Sequence, residues 1–423
     1  MSARFKRWWI AISVGHFLAW RQLKRSSLGT TVLIIFVMAL TFLNLVVVTG
    51  ILVGLIEGSV QVNKGLYTGD IIISTLPNRT YIEQSPRIIE TVKRLPSVQS
   101  LSARYLESGS VEANYQKVRR GNELPNRVGS LVAGIDPLAE DRTTNLSSRV
   151  IEGEFLNPGD GDFILIGADK LAKYLPIESP GLETLKDVAI GSKVRMTIGD
   201  STRLYTIKGI LRSKVGEVDN RIFMNDTLLR SIAGRYDYGV DEIAIKLIPG
   251  TDSLRVKDQI LAAGVGAYAR VQSSEEAEPK FLKDIKNTFA LLGNVIGSIG
   301  LAVASITIFI VIFVNAITRR KYIGILKGIG IEGAAIQISY MMQAVFYAAA
   351  GIIVGVLIIY GLLVPFFAAH PINFPFSDGI LVAPVSGTLI RAIILMIATI
   401  GAGYIPAKLI VRQNTLDAIL GRK

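Results

Sequence analysis

Four runs of apolar residues, at 30–56, 289–316, 336–363 and 390–407, constrain the chain more than any other feature of its sequence. The first contains Asn44 as its only strongly polar residue, and the next two carry no charge. About 20 residues cross the hydrocarbon core of a bilayer. The first three runs exceed that, each being on the order of 40 Å long as a helix. The fourth is shorter and carries Arg391 at its edge, where a long side chain can snorkel outward. More than 200 residues of ordinary globular composition separate the first two runs. The pattern predicts an α-helical membrane protein with four transmembrane helices and a large α/β extracytoplasmic domain between helices 1 and 2.

The distribution of charge orients it. The net charge is +12, and three short stretches supply all of it. Residues 1–29 hold six basic residues and no acid, while 318–334 and 405–423 each hold four basic residues against one acid. Residues 57–287 hold 31 of each sign. The excess therefore lies beside apolar runs, which argues against a nucleic-acid partner. Basic residues in short loops mark the cytoplasmic side, so the N-terminus, the 318–334 loop and the C-terminus share one face. The expected order is an interfacial segment 1–29, spans at 30–56, 288–317, 335–363 and 389–407, an extracytoplasmic domain 57–287, a cytoplasmic loop 318–334, an external loop 364–388 and a tail 408–423. That is a multi-pass protein of the cytoplasmic (inner) membrane, N-in and C-in. The first run is too long for the core of a signal peptide, and no small-residue cleavage pattern follows it.

Residues 8–20 lack charge, lie between basic clusters and contain all three tryptophans, Trp8, Trp9 and Trp20. Tryptophan favours the headgroup level, which predicts a helix along the inner leaflet in contact with membrane lipids; a frayed extension is the alternative. In the large domain, 70–74 reads as a buried strand. Ser85-Pro86 opens a helix with Ile88, Ile89, Val92 and Leu95 on one face, and 98–105 reads as the next strand. Val194, Met196 and Ile198 alternate with polar residues before a Gly199-Asp200-Ser201 turn, and Ile243, Ile245 and Leu247 repeat the alternation. This predicts α/β character at both ends and a β-rich insertion over about 130–235. Lys280 to Lys286 lead into the second span without a Gly or Pro linker, which predicts one continuous helix.

The motifs of enzyme chemistry are missing or misplaced. Gly328-Ile329-Gly330-Ile331-Glu332-Gly333 fits the dinucleotide fingerprint, but it lies between two spans rather than between a strand and a helix. The dipeptide Gly-Lys never occurs, which removes any Walker A loop. There is no cysteine, and the two histidines, His16 and His370, fall in segments assigned to opposite faces, so neither a thiolate nor a three-histidine metal site is expected. No catalytic residue, metal or cofactor is expected in this chain. Gly293, Gly297 and Gly300 would let another helix approach the second span closely.

The segment from Thr318 to Gly330 leaves the second span with Arg319, Arg320 and Lys321, continues as a short helix with Ile323 and Leu326 at helical spacing, and breaks at glycines. A loop both basic and apolar suits a partner protein, or failing that a headgroup anchor. Its run RRKYIGILKGIG resembles the coupling helix of MacB/FtsX/LolC-type permeases (type VII ABC transporter permease subunits), usually near RRREIGILKAIGA. The end of the chain, from Tyr404-Ile405-Pro406-Ala407-Lys408 through Asn414-Thr415-Leu416-Asp417-Ala418-Ile419-Leu420, is similar to that family's closing motif, with Thr415 where proline is common and Gly421 where arginine often follows. Gly134-Ile135-Asp136-Pro137, Glu152-Gly153-Glu154-Phe155-Leu156 and Leu165-Ile166-Gly167 are weaker echoes. The resemblance implies a permease without catalysis of its own, paired with a second copy or paralogue and served by an ABC ATPase subunit that binds ATP and Mg. Arg319, Arg320, Lys321, Ile323, Gly324, Leu326, Lys327 and Gly330 would dock that ATPase. Mechanical transmission to the external domain would then export or extract a lipid, lipoprotein, peptide or drug, with an adaptor or chaperone as a further partner. An FtsX-like regulator of a cell-wall hydrolase is the alternative; the length of 57–287 favours transport.

Overall fold

The computed structural model describes residues 3–116, 124–175, 183–370, 372–374, 377–379 and 381–412. They form two compact units, one built on 1–56 with 284–374 and 378–423, the other on 57–283.

The helical unit contains four helices long and apolar enough to cross a membrane. The first, Leu28–Asn63, passes directly into a π turn, Lys64–Thr68. The second is one unbroken helix, Lys280–Thr318, starting at the lysines as the missing linker predicts. The third, Gly333–Ile358, continues through a π turn, Ile359–Leu363, into Val364–Ala369. The fourth is Val385–Val411. Met38, Phe42, Ala304, Ile308, Tyr340, Ala344, Tyr347 and Leu395 make up their common core. At 1.5 Å per residue the first two helices are roughly 50–60 Å long, well beyond a hydrocarbon core of about 30 Å.

The N-terminal segment is a helix, Ala3–Lys24, laid along the third span. Gly15 sits against Ala335 and Ile338, and Gln343 Nε2 donates to Gln22 Oε1 at 2.6 Å. From one contact to the other each helix advances about 10 Å, so the two run side by side in the same direction. Ala11 and Ala19, one turn either side of Gly15, are buried, while Trp8, Trp9, Ile10, Phe17 and Trp20 are exposed. Small residues form the seam and aromatic residues are left outside.

The other unit has ten strands: β1 (Ile71–Ser74), β2 (Val98–Glu112), β3 (Arg127–Ile135), β4 (Val150–Gly153), β5 (Phe163–Gly167), β6 (Lys193–Ile198), β7 (Ser201–Leu211), β8 (Arg221–Asn225), β9 (Glu242–Leu247) and β10 (Arg270–Ser273). One lobe is the antiparallel sheet β10-β1-β9-β2 with the helices Ser85–Lys93 and Ser253–Ala262. Ile71, Ile73, Ile88, Val92, Ile243, Ile245, Val256 and Ile260 fill the space between sheet and helices. In the second lobe the pairings run β2-β3-β8-β5-β7-β6 and return from β6 to β2, closing a six-stranded barrel. Val111, Val128, Val132, Ile164, Val194, Met196, Ile207 and Ile222 line its core.

The two lobes share β2, whose 15 residues make it the longest strand. Its first part pairs with β9 as far as Arg104, opposite Glu242. Its second part pairs with β3 from Tyr105, opposite Gly134. The sequence predicts the strands around 70–74, 98–105, 193–198 and 243–247, and the β-rich insertion. It gives no sign that β2 runs on to Glu112 and belongs to both lobes, because a strand's partners are not written in its own periodicity.

Candidate functional site

The segment after the second span is built as a turn, a short helix and a stop. Arg319 leaves helical geometry, Arg320–Gly328 is helical, and Gly330 adopts φ +95°, a left-handed conformation that suits glycine. Glu332 is extended and precedes the third span.

The helix has two faces. Ile323 is 4% exposed and packs in the same core as Ala316, Ile336 and Val411, Gly324 beside it is buried, and Leu326 is half-buried against that core. Lys327 Nζ donates to the Val411 carbonyl oxygen at 2.9 Å, a cation placed on the C-terminal end of the fourth helix. Arg319 and Arg320 are half-buried. Outward lie Lys321, Tyr322, Ile325, Gly328 and Ile329, which is one helical stripe; Tyr322 is 69%, Ile325 49% and Ile329 71% exposed. The residues singled out from the sequence thus separate. Lys321 and Gly330 face outward, while Ile323, Gly324, Leu326 and Lys327 attach the helix to its own bundle. Tyr322, Ile325 and Ile329 were missed because two apolar stripes of similar spacing share nine residues, and only the contacts of the helix set its phase. The closing motif beyond 412 lies outside the described residues.

The glycines of the second span meet the first. A Cβ at Gly293 would lie 2.9 Å from Leu52 Cδ1, at Gly297 3.4 Å from Leu45 Cδ2, and at Gly300 3.0 Å from Asn44 Oδ1. The tighter seam is elsewhere. A Cβ at Gly351 would collide with Met38, and one at Gly355 would lie 2.5 Å from Phe42 Cδ1. Gly351-x3-Gly355 in the third span is the same small-residue signal.

Inside the domain an ion network joins four elements. Glu140 projects from the helix Pro137–Thr144, which Asp136 caps by accepting from the Leu138 and Ala139 amides at 3.0 and 3.2 Å. Arg104 Nε donates to Glu140 Oε2 at 2.9 Å and its Nη2 to Glu140 Oε1 at 2.6 Å; Ser102 and Thr144 hydroxyls complete that carboxylate at 2.6 and 2.7 Å. Arg221 grips Glu242 through Nη1 at 3.0 Å and Nη2 at 2.8 Å, and Arg104 Nη1 reaches the same carboxylate at 3.3 Å. All four charged residues are buried. Burial pushes the Glu242 carboxyl up, but the Arg221 guanidinium and then Arg104 overcome it and hold it down at about 2. Glu140 is likewise below its ordinary value, burial being outweighed by Arg104. Two cations against two anions leave the cluster neutral. Among the described residues no three His, Asp or Glu side chains converge as a metal site.

Residues 27–263 match the family profile of the MacB-like periplasmic core domain, and residues 294–415 that of the FtsX-like permease C-terminal region. The periplasmic region of MacB from Actinobacillus actinomycetemcomitans is similar at 13% identity and TM-score 0.35, covering 50% of this chain and 92% of that one. The extracellular domain of the noncanonic ABC-type transporter YknZ from Gram-positive bacteria is similar at 14% identity and TM-score 0.30, covering 48% of this chain and 99% of that one. A search of curated proteins returned no match.

Proposed function

This chain belongs to the MacB/FtsX-type permease family of multi-pass membrane proteins, and from that membership we propose that it is the membrane subunit of an ABC transporter that works mechanically on a substrate outside the cytoplasm. ATP and Mg are bound by a separate ATPase subunit, two permeases pair, and the domain of residues 57–287 stands outside the cytoplasmic membrane with both termini inside. The substrate class is a lipid, lipoprotein, peptide or drug-like molecule, exported or extracted. An adaptor or chaperone on the external side suits that role, and membrane lipids suit the exposed tryptophans of the helix Ala3–Lys24. Regulation of an external cell-wall hydrolase would use the same mechanics, and the size of the MacB-like domain favours transport over it.

One observation carries the proposal. The short helix Arg320–Gly328 is fixed to its own bundle by Ile323 and Lys327 while it presents Lys321, Tyr322, Ile325 and Ile329 outward. An apolar stripe edged by a cation, held rigidly at the end of a 39-residue helix, suits the grip of a soluble partner. Long helices without a break then give a path for displacement along their axes.

Ile325→Asp tests this. A charge set among interface residues leaves a carboxylate desolvated and unpaired, so a co-expressed partner ATPase no longer co-purifies while membrane insertion is unchanged. Leu326→Asp is a poorer probe, since that side chain lies against the helical core. Equal recovery of the ATPase with wild type and Ile325→Asp would place docking on another surface.

A further inference from the structure

The ion network encloses a residue that belongs to neither lobe. Tyr67 lies in the π turn Lys64–Thr68, where the first spanning helix ends. The Arg104 and Arg221 guanidinium carbons stand 4.9 and 5.2 Å from its ring centroid. Its hydroxyl donates to Glu242 Oε1 at 2.7 Å and its carbonyl oxygen accepts from Arg104 Nη2 at 2.7 Å. Arg104 and Glu242 face each other at the point where β2 passes from β9 to β3, and Arg221 comes from β8 of the barrel. One aromatic ring is therefore held by both lobes at their shared strand.

We propose that Tyr67 is a coupling joint: the C-terminal end of the first spanning helix is latched to both lobes through its ring, hydroxyl and carbonyl, and withdrawing it loosens the junction between the lobes. The reasoning is one of satisfaction. With Tyr67 in place every oxygen of Glu140 and Glu242 has a donor, and Arg104 has acceptors for all three of its nitrogens. Withdrawing the turn takes one of two donors from Glu242 Oε1, one of two acceptors from Arg104 Nη2 and two cation–π contacts together, beside four buried charges. Bonds in so poorly solvated a network reinforce one another, so losing these together weakens those that remain. Its use in transmitting motion rests on the transporter reading; the latch itself does not. Packing of Leu66 and Val62 against Ile135, Leu146 and Phe223 is the competing means of holding the helix end, and it would need no tyrosine.

Hydrogen exchange on the full chain in lipid nanodiscs, without any ATPase, separates the two. In Tyr67→Phe the ring stays and the hydroxyl goes. Exchange quickens about tenfold, the loss expected for one hydrogen bond to a charged group, both at residues 64–70 and across the junction at 104–106 and 241–243. The barrel amides of β5 and β7 are unchanged. Tyr67→Leu gives a larger change at the same places, and if that variant unfolds, Tyr67→Phe remains the measurement. Exchange unaltered in Tyr67→Phe, or altered only at 64–70, overturns the joint. The same samples with the partner ATPase added tell the two readings apart. Failure of the wild-type chain to capture it counts against the transporter, whereas the exchange pattern alone decides the latch.

Discussion

The first spanning helix is held in two different ways along its length. Around Met38 and Phe42 it lies against Gly351 and Gly355, where the absence of side chains lets the helices close up. Around Tyr67 it ends among four buried charges. The first kind of contact is dispersion, many small attractions that fall off gradually with separation. The second is a set of directional bonds in a poorly solvated site, each raising the cost of losing the next. A seam of glycines tolerates small sliding, whereas directional bonds of this kind weaken steeply as their geometry is disturbed. Asn44 Oδ1 and the Tyr340 hydroxyl are buried in the helical unit without a hydrogen-bond partner, while in the domain network each carboxylate oxygen has at least one donor.

Glu242→Ala should give the largest effect. It leaves Arg221 without its carboxylate and takes one of the two carboxylates from Arg104, and removing one partner of a buried pair costs about 3–5 kcal/mol. Chemical denaturation of the full chain, followed by exchange at β9, measures it. A loss below about 1 kcal/mol would mean that water reaches the site and the contrast fails.

Gly351→Ala comes next. The added methyl collides with Met38 Cβ and lies 3.0 Å from the Ala39 nitrogen, neither of which can swing away. Overpacking of this sort costs about 1–3 kcal/mol, read as a lower yield of folded protein and a lower melting temperature. Gly361→Ala, with nothing within 4 Å, is the control. Equal behaviour of the two would show that the seam is loose.

The smallest effect is a pH dependence of the domain. Burial pushes the carboxyls of Asp219 and Asp241 up from 3.8 to about 6. Both bind a proton more tightly folded than unfolded, so the stability they add is complete below pH 3.8 and is lost as pH rises through about 6. Lowering the pH from 7.5 to 5 should therefore stabilise the domain, by on the order of 1 kcal/mol per group. Glu242, held at about 2, has the opposite sign, and its contribution disappears as pH falls from 4.5 through 2. A melting temperature that rises from pH 7.5 to 5 and falls again below 4.5 fits both signs. A steady fall from neutrality would show the aspartates to be solvated.

Particular residues show what was legible beforehand. The Ser85-Pro86 helix start and the alternation at Val194, Met196 and Ile198 are local signals, and the helix and strand are there. The Gly134-Ile135-Asp136-Pro137 stretch carries no signal in the sequence beyond its family resemblance. In the structure it is the end of β3 and the cap of the helix that delivers Glu140. In the helix Arg320–Gly328 the basic run is plain, but the spacing of Ile323 and Leu326 gives no sign that the bundle claims Ile323 and leaves Ile325 outside.

By itself the sequence determined the four apolar spans, the neutral domain between the first two and the crowding of positive charge beside the apolar runs. It could do so because the cost of placing a charge in hydrocarbon depends on the composition of a window of about 20 residues and on nothing remote. Tertiary structure alone decided which face of the short helix is free, that β2 serves two lobes, and that residues 67, 104, 140, 221 and 242 meet. Their pairing depends on sheet register and on the closing of the barrel, which bring together groups far apart in the chain whose own neighbours in sequence carry no trace of the encounter.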